Sequence, residues 1–383
     1  MQTIAKRLQI ISVGFAMFSM FFGAGNVVFP LIVGTVAQDR ALYALLGLVI
    51  TAVGVPFLGL FGMTLFEGNY RAFFARLGKW PGFIIISIIM GLIGPFGAIP
   101  RCITLSYSTI KLFFGDIPLL LFSVFSCVLI FVLTVKKSRI IDLLGYILTP
   151  LLLVSLAVII VKGALIHPEP SIGELESNMQ SFLNGLLYGY HTMDLLGAFF
   201  FCAVVIEALK SLGKSHRLIH HNTYLAIGVG FFLLAAVYVG MCLVAALHSI
   251  DLTEVPADQL LGKLSLSVLG PYAGFITCTA VALACLTTAI ALSAVFAEFI
   301  HNDIIQDRLN YEWSLAATLV VTFIFSALEF NGIFLFLAPI VQVIYPALVM
   351  LCVMNIAHKL WDVRVVKLPV ALTFAVSLIV SLL

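Results

Sequence analysis

The sequence predicts an all-α polytopic membrane protein of about 11 transmembrane helices, a five-plus-five inverted-repeat fold with broken helices 1 and 6. Three observations carry that expectation. Of 383 residues, 62% are hydrophobic and 10% charged, whereas roughly a quarter of the residues in soluble domains carry charge. Apolar stretches of the ~20 residues needed to cross a bilayer recur along the whole chain. Glycine-rich and polar interruptions fall inside two of these stretches, five spans apart, and because five is odd, units so related lie in opposite orientations.

The spans are expected at about 8–37, 41–65, 82–110, 117–135, 141–162, 182–208, 222–247, 268–297, 313–328, 332–356 and 367–383. They divide into a first repeat over 1–165, a second over 166–357 and an additional C-terminal helix over 358–383. Lys6 and Arg7 precede the first apolar run as in a secretory signal. That run outlasts the 7–15 residues of a signal core, so the segment is read as retained.

Span 1 carries "FFGAGN" near its middle and Pro30 soon after. Two glycines let the backbone leave helical geometry at little steric cost, and proline cannot donate a backbone hydrogen bond. Unpaired backbone groups cost several kcal/mol in hydrocarbon, so such a break is tolerated only beside protein or a water-filled cavity. Gly23 and Gly25 could instead admit a close helix neighbour. Packing alone leaves the polar amide of Asn26 unexplained.

Span 3 contains Pro95 and Pro100, followed at once by Arg101. Arg101 either lines a cavity beside a proline kink or snorkels toward an interface. Span 6 gathers Gly189, Tyr190, His191, Thr192 and Asp194 in an otherwise Leu, Phe and Ala setting. A mid-span aspartate costs roughly 2.5–3.5 kcal/mol on insertion scales and needs a partner. Three readings stay open: a cap on the helix restarting at Leu195, a pair with Arg101, or a part in binding a cation or ammonium group. In span 8, Thr287 and Thr288 are adjacent hydroxyls, with Thr277 and Thr279 two to three turns earlier. Each could bond back to its own helix or offer hard oxygen to a small cation. The echoes "GPFGAIP" and "GPYAGF", and "LTPLLL" and "IYPALVML", are too faint to establish the repeat.

Charge distribution sets the orientation. With the N-terminus cytoplasmic, fifteen of the 20 Lys and Arg fall on the cytoplasmic side, as positive-inside bias requires. Only Arg40, Lys111, Lys162 and Lys263 fall outside, and Arg101 lies within a span. The acidic segments 167–177 and 249–259 then face outward. A net charge of +2 spread over membrane loops gives no nucleic-acid patch. The seven cysteines show no metal spacing and read as small hydrophobes. No phosphate-binding loop, HExxH or GxSxG motif is present. The remaining rival is an intramembrane enzyme using Asp194 and His191, and a pore is disfavoured because polar residues cluster at discrete depths.

"FFGAGNVVFP", "ITAVGVPFLGL", "GPFGAIPR", "NGLLYGYHTMDLLGA", "ACLTTAIALSAVFAEF" and "IVQVIYPALVML" occur in that order over nearly the whole chain. In them the chain resembles the bacterial branched-chain amino acid:cation symporter family. The resemblance implies alternating-access import of leucine, isoleucine and valine, or of another small apolar amino acid, across the bacterial cytoplasmic (inner) membrane. It implies no catalytic residues, no cofactor and no obligate protein partner, only substrate, lipid bilayer and a coupling ion, Na⁺ or alternatively H⁺. By analogy with related transporters of that fold, Gly23, Ala24, Gly25 and Asn26 would hold the substrate backbone, facing Tyr190, Met193 and Asp194. The ion would sit between the Phe22 carbonyl, Thr287 and Thr288. Family members commonly have twelve spans, so eleven would leave the C-terminus outside.

Overall fold

The computed structural model describes residues 2–136, 143–166, 177–210, 216–270, 273–305, 308 and 310–382. Among them the chain is helical, with no strand. Every expected span carries helix. Among the described residues, six helices are each long and apolar enough to cross a bilayer. The pair Asn178–His191 and Asp194–Lys210, bent by 44°, is a seventh, broken crossing. Shorter apolar helices cover Leu8–Phe21, Leu119–Thr134, Tyr311–Ser326 and Lys367–Leu382. The acidic segment 167–177 lies outside the described residues except for Ser177, as do Lys137, Arg139 and Lys214 of the charge argument.

The exterior is lipid-like and the interior carries the hydroxyls. On span 4, Leu121, Phe125, Val128 and Val132 are exposed, while Ser123, Cys127, Ile130 and Thr134 turn inward. Span 9 answers with Ser314, Thr318, Thr322 and Ser326, one per turn, all buried. Ser326 Oγ donates to Ser123 Oγ at 3.0 Å. Between apolar helices in lipid there is no hydrophobic drive to associate, so small residues and hydroxyl bonds hold such a seam.

Glycines set the closest approaches. A Cβ at Gly47 would strike the Phe182 carbonyl, one at Gly185 the Ala44 carbonyl, and one at Gly189 the Thr51 hydroxyl. Spans 2 and 6 are thereby drawn together, and Thr51 Oγ1 donates across the seam to the Leu186 carbonyl at 2.9 Å. Span 1 lies along span 7 in the same manner, Gly14 against Val229 and Gly34 against the Cys242 carbonyl.

Span 1 consists of Gln2–Phe21 and Ala24–Ala37. Pro30 sits inside the second piece and has no N–H to return to the Asn26 carbonyl four residues earlier. Span 6 breaks at Thr192 and Met193. Two expectations need correction. Span 3 is not merely kinked: Lys79–Ile93 ends at Gly94, and Ala98–Phe114 begins after Gly97. Pro95 falls in the break and Pro100 in the first turn of the new helix, where a missing N–H costs little. Span 8 begins later than expected, at Ala273, because Leu260–Leu269 is a separate helix ended by Gly270 at φ +72°.

On the side expected to face the cytoplasm, Tyr70 and Arg71 open a short helix, Tyr70–Ala75, between spans 2 and 3. Arg71 Nε pairs with Asp303 Oδ1 at 2.6 Å, and Tyr70 Oη donates to Asp303 Oδ2 at 2.6 Å. Burial, then the bond to Asp303, raises the Tyr70 phenol well above its ordinary range, so it remains a donor.

Candidate functional site

The two expected breaks abut. A Cβ on Gly25 would lie 3.2 Å from Thr192 Cα and 3.3 Å from the His191 carbonyl, and would overlap the Arg101 guanidinium. A Cβ on Gly23 would lie 2.8 Å from Thr288 Cγ2. Each glycine therefore serves a specific neighbour: Gly23 admits span 8, and Gly25 admits spans 3 and 6. The packing and unwinding readings of "GAGN" are both realised.

Asn26 joins the two breaks. Its Oδ1 accepts from the Gly23 N–H at 3.2 Å, closing the turn of span 1. Its Nδ2 lies 2.8 Å from both Asp194 oxygens and also contacts Tyr238 Oη of span 7. Tyr238 Oη donates to Asp194 Oδ2 at 2.9 Å. Asp194, 3% exposed, is thus held by neutral donors. Hydrogen bonds to a charged group are worth about 1.5–3 kcal/mol each, enough to offset much of the cost of burying it. Among the described residues no ion pair joins Asp194 to Arg101. The capping reading is also replaced: the N–H of Leu195 donates to Tyr345 Oη of span 10 at 3.1 Å, and the Met193 carbonyl accepts from Leu196 and Gly197.

The break in span 6 is made without glycine. Met193 has φ +65°, a left-handed conformation that costs a non-glycine residue about 1–2 kcal/mol. Thr192 Oγ1 donates back to the Gly189 carbonyl at 2.9 Å. His191 packs its ring among Phe29, Tyr188 and Phe334, as a packing residue rather than a base beside Asp194.

Gly23, Ala24, Gly25, Asn26, Met193 and Asp194 line one cavity of about 30 Å³ together with Arg101, Thr192 and Thr288. Its apolar wall includes Met20, Ile93, Phe201 and Leu292. Aromatic clusters flank the span 1 break along the helix: Phe21, before it, meets Phe201 and Phe231, and Phe29, after it, meets Tyr188 and Phe334. Tyr190 is not among the lining residues; its ring lies 4.7 Å from that of Tyr345. Thr288 Oγ1 donates to the Ser19 carbonyl of span 1 at 3.1 Å. Thr287 Oγ1 turns back to the Ala284 carbonyl at 3.0 Å, and Thr279 Oγ1 to the Phe275 carbonyl. Phe22 is fully buried, with its ring stacked on Phe18. Sequence reasoning missed Tyr238 and Tyr345. The available signal was a single mid-span hydroxyl in each apolar helix, since a buried tyrosine O–H usually finds a partner.

Comparisons with known proteins extend over the same length of chain. The sequence profile of the family described as "Branched-chain amino acid transport protein" matches residues 6–383. A Staphylococcus saprophyticus protein named for the carriage of branched-chain amino acids is 27% identical over 96% of this chain and 86% of its own. A Staphylococcus epidermidis protein named likewise is 29% identical over 97% of this chain and 87% of its own. Among solved structures, MhsT in complex with L-phenylalanine superposes with a TM-score of 0.64 at 15% identity, covering 97% of each chain. Mhp1, a nucleobase-cation-symport-1 family transporter, superposes with a TM-score of 0.63 at 13% identity, over 97% of this chain and 90% of its own. These likenesses establish a shared fold.

Proposed function

This chain belongs to the branched-chain amino acid transport protein family, and we propose that it imports leucine, isoleucine and valine by Na⁺ symport with alternating access. It is a membrane transporter rather than an enzyme. The observation that carries the proposal is the meeting of two helix breaks at one cavity lined by both polar and apolar residues. An amino acid zwitterion needs N–H donors, an acceptor for its ammonium group and an apolar wall. Half-helix ends supply the first two needs at mid-membrane in transporters of this kind.

In this reading Gly23, Ala24, Gly25, Asn26, Met193 and Asp194 hold the amino acid backbone, and Tyr190 supports the site from behind through Tyr345. Met20, Ile93, Phe201 and Leu292 receive the side chain. One methylene is worth only about 1–3 kcal/mol in an apolar pocket, so leucine, isoleucine and valine compete. A cavity of about 30 Å³ is far below the roughly 300 Å³ at which small-molecule pockets begin. Admission of substrate therefore requires the spans to separate, with the aromatic clusters flanking the span 1 break as natural gates.

Na⁺ is assigned to the Phe22 carbonyl, Thr287 and Thr288, hard oxygens beside the span 1 break. One positive charge moving down 100 mV yields about 2.3 kcal/mol, or roughly fiftyfold accumulation. H⁺ coupling is the second reading, favoured by one observation: Asp194 is buried among neutral donors with no cation paired to it. The bias of Lys and Arg supports a cytoplasmic N-terminus in the bacterial inner membrane. The test is labelled leucine uptake into proteoliposomes under an imposed Na⁺ gradient or an imposed pH gradient. Accumulation under Na⁺ alone supports the ion site, and accumulation under pH alone moves coupling to Asp194. Failure under both, in correctly inserted protein, removes the substrate assignment.

A further inference from the structure

Arg101 is the one cation among the residues lining the central cavity, and its protein contacts leave it short of acceptors. It stands in the first turn of the restarted helix of span 3 and is 3% exposed. Its Nη2 donates to the His191 carbonyl at 3.2 Å, and its Nη1 lies 3.9 Å from Met193 Sδ. The guanidinium carbon sits 5.3 Å from the Phe29 ring centroid and 5.9 Å from that of Phe330. None of these groups is an anion. Among the described residues no carboxylate forms an ion pair with it, and the carboxylate lining the same cavity, Asp194, acts on it only at longer range and is hydrogen-bonded by Asn26 and Tyr238.

A guanidinium has five N–H donors in a planar fork, and here one carbonyl and one weak sulfur acceptor answer it. A buried charge is costly unless paired, so a site built around an unmatched cation is built for an anion. The missing Cβ of Gly25 is what lets the guanidinium reach the span 1 break. There the first-turn amides of Gly25 and Asn26 have no carbonyl one turn back to bond. Fork and amides together match a planar carboxylate.

We propose that Arg101 is the receptor for the substrate's α-carboxylate. The amino acid then lies across the cavity with its carboxylate toward span 3, its ammonium group toward Asp194 and its side chain among Met20, Phe201 and Leu292. This inference rests on the amino acid transport reading and adds to it the direction in which the zwitterion is held.

The test measures ligand-induced thermal stabilisation of the purified full-length protein, with leucine and with leucinol, which keeps the ammonium group and side chain but lacks the carboxylate. Stabilisation against ligand concentration gives an apparent Kd for each. Wild-type protein is expected to prefer leucine strongly. In Arg101→Gln, leucine should weaken by at least about tenfold, since charge-assisted bonds of about 1.5–3 kcal/mol are lost, while leucinol changes by less than about threefold. Arg101→Lys, a point charge without the fork, should keep an intermediate preference, and it serves as the readout if the glutamine variant does not fold. Equal losses for leucine and leucinol would reveal a purely structural arginine. An unchanged leucine-to-leucinol ratio in either variant would likewise overturn the assignment. If wild-type protein is stabilised by none of leucine, isoleucine and valine, the branched-chain reading falls by itself. The same ratio is then taken with alanine and alaninol and with phenylalanine and phenylalaninol. The arginine assignment stands if that ratio depends on residue 101, and falls if it does not or if no α-amino acid binds.

Discussion

The break in span 1 and the break in span 6 face each other across one small cavity but are made by opposite means. Span 1 is opened by what is missing: no Cβ at Gly23, where Thr288 presses in, and none at Gly25, where Arg101 and Thr192 do. Span 6 is opened by what surrounds it. Met193 is held in left-handed geometry while Tyr345 takes the Leu195 N–H and Asn26 and Tyr238 hold Asp194. The first break is a local permission written in its own residues. The second is imposed by side chains from spans 1, 7 and 10, so its geometry depends on the assembled bundle.

The largest effect is expected where permission is withdrawn. Gly25→Leu drives a side chain into the Arg101 guanidinium and the Thr192 backbone. It should abolish leucine binding in protein that still inserts and runs as a monodisperse peak, and retained binding would make "GAGN" a packing motif only. Next comes Tyr345→Phe, which strands the Leu195 N–H. An unsatisfied buried donor costs about 1–3 kcal/mol, so thermal stability should fall. An unchanged melting temperature would mean that the restart of span 6 needs no outside cap.

A smaller effect distinguishes the two breaks by a reversal. At an ordinary mid-helix site alanine is more stabilising than glycine by about 0.5–1 kcal/mol. At Met193 the order should invert, with Met193→Gly about 1 kcal/mol more stable than Met193→Ala because of the positive φ. The usual order there would mean that position 193 does not take the left-handed conformation in the folded protein. The smallest change is expected far from both breaks, at the Arg71–Asp303 contact. Arg71 is 57% exposed, so Arg71→Gln should cost no more than about 0.2–1 kcal/mol and less at high salt. A loss as large as that from Tyr345→Phe would mark the contact as a principal tie rather than a surface pair.

This contrast also explains what could be read from the sequence. The apolar spans, the break at Gly23 and Gly25 and the polar exceptions at Asn26 and Asp194 follow from local composition, because hydrocarbon penalises each exception where it stands. The partners of Asp194 do not follow. Tyr238 and Tyr345 are isolated mid-span hydroxyls in long apolar helices, and which residue each meets is fixed by how spans 7 and 10 pack. Gly189 sits among the polar residues of span 6 in sequence, but its spatial role is to pass Thr51 of span 2. Met193 carries no sign of strain, since any residue can be forced to positive φ by its surroundings. Arg101 invited both a cavity and an interface reading, and its depth became evident only once Gly25 was seen to leave room for it. The split of span 3 was half visible in Pro95, while its extent depends on Gly94 and Gly97 acting together.

Pro30 has one more effect. It lies four residues beyond Asn26, so the Asn26 carbonyl lacks its ordinary α-helical donor whatever occupies positions 23 and 25. Replacing either glycine would fill the space needed by Thr288 or Arg101 without restoring that bond, and replacing Pro30 would leave both glycines in place. The helix Ala24–Ala37 runs on through Pro30, so the gap at Phe22 and Gly23 and the bond missing at Pro30 are separate features that no single substitution removes together. Substitutions along this stretch can fill the space at Gly23 or Gly25 one at a time, but none of them also restores the bond missing at Pro30.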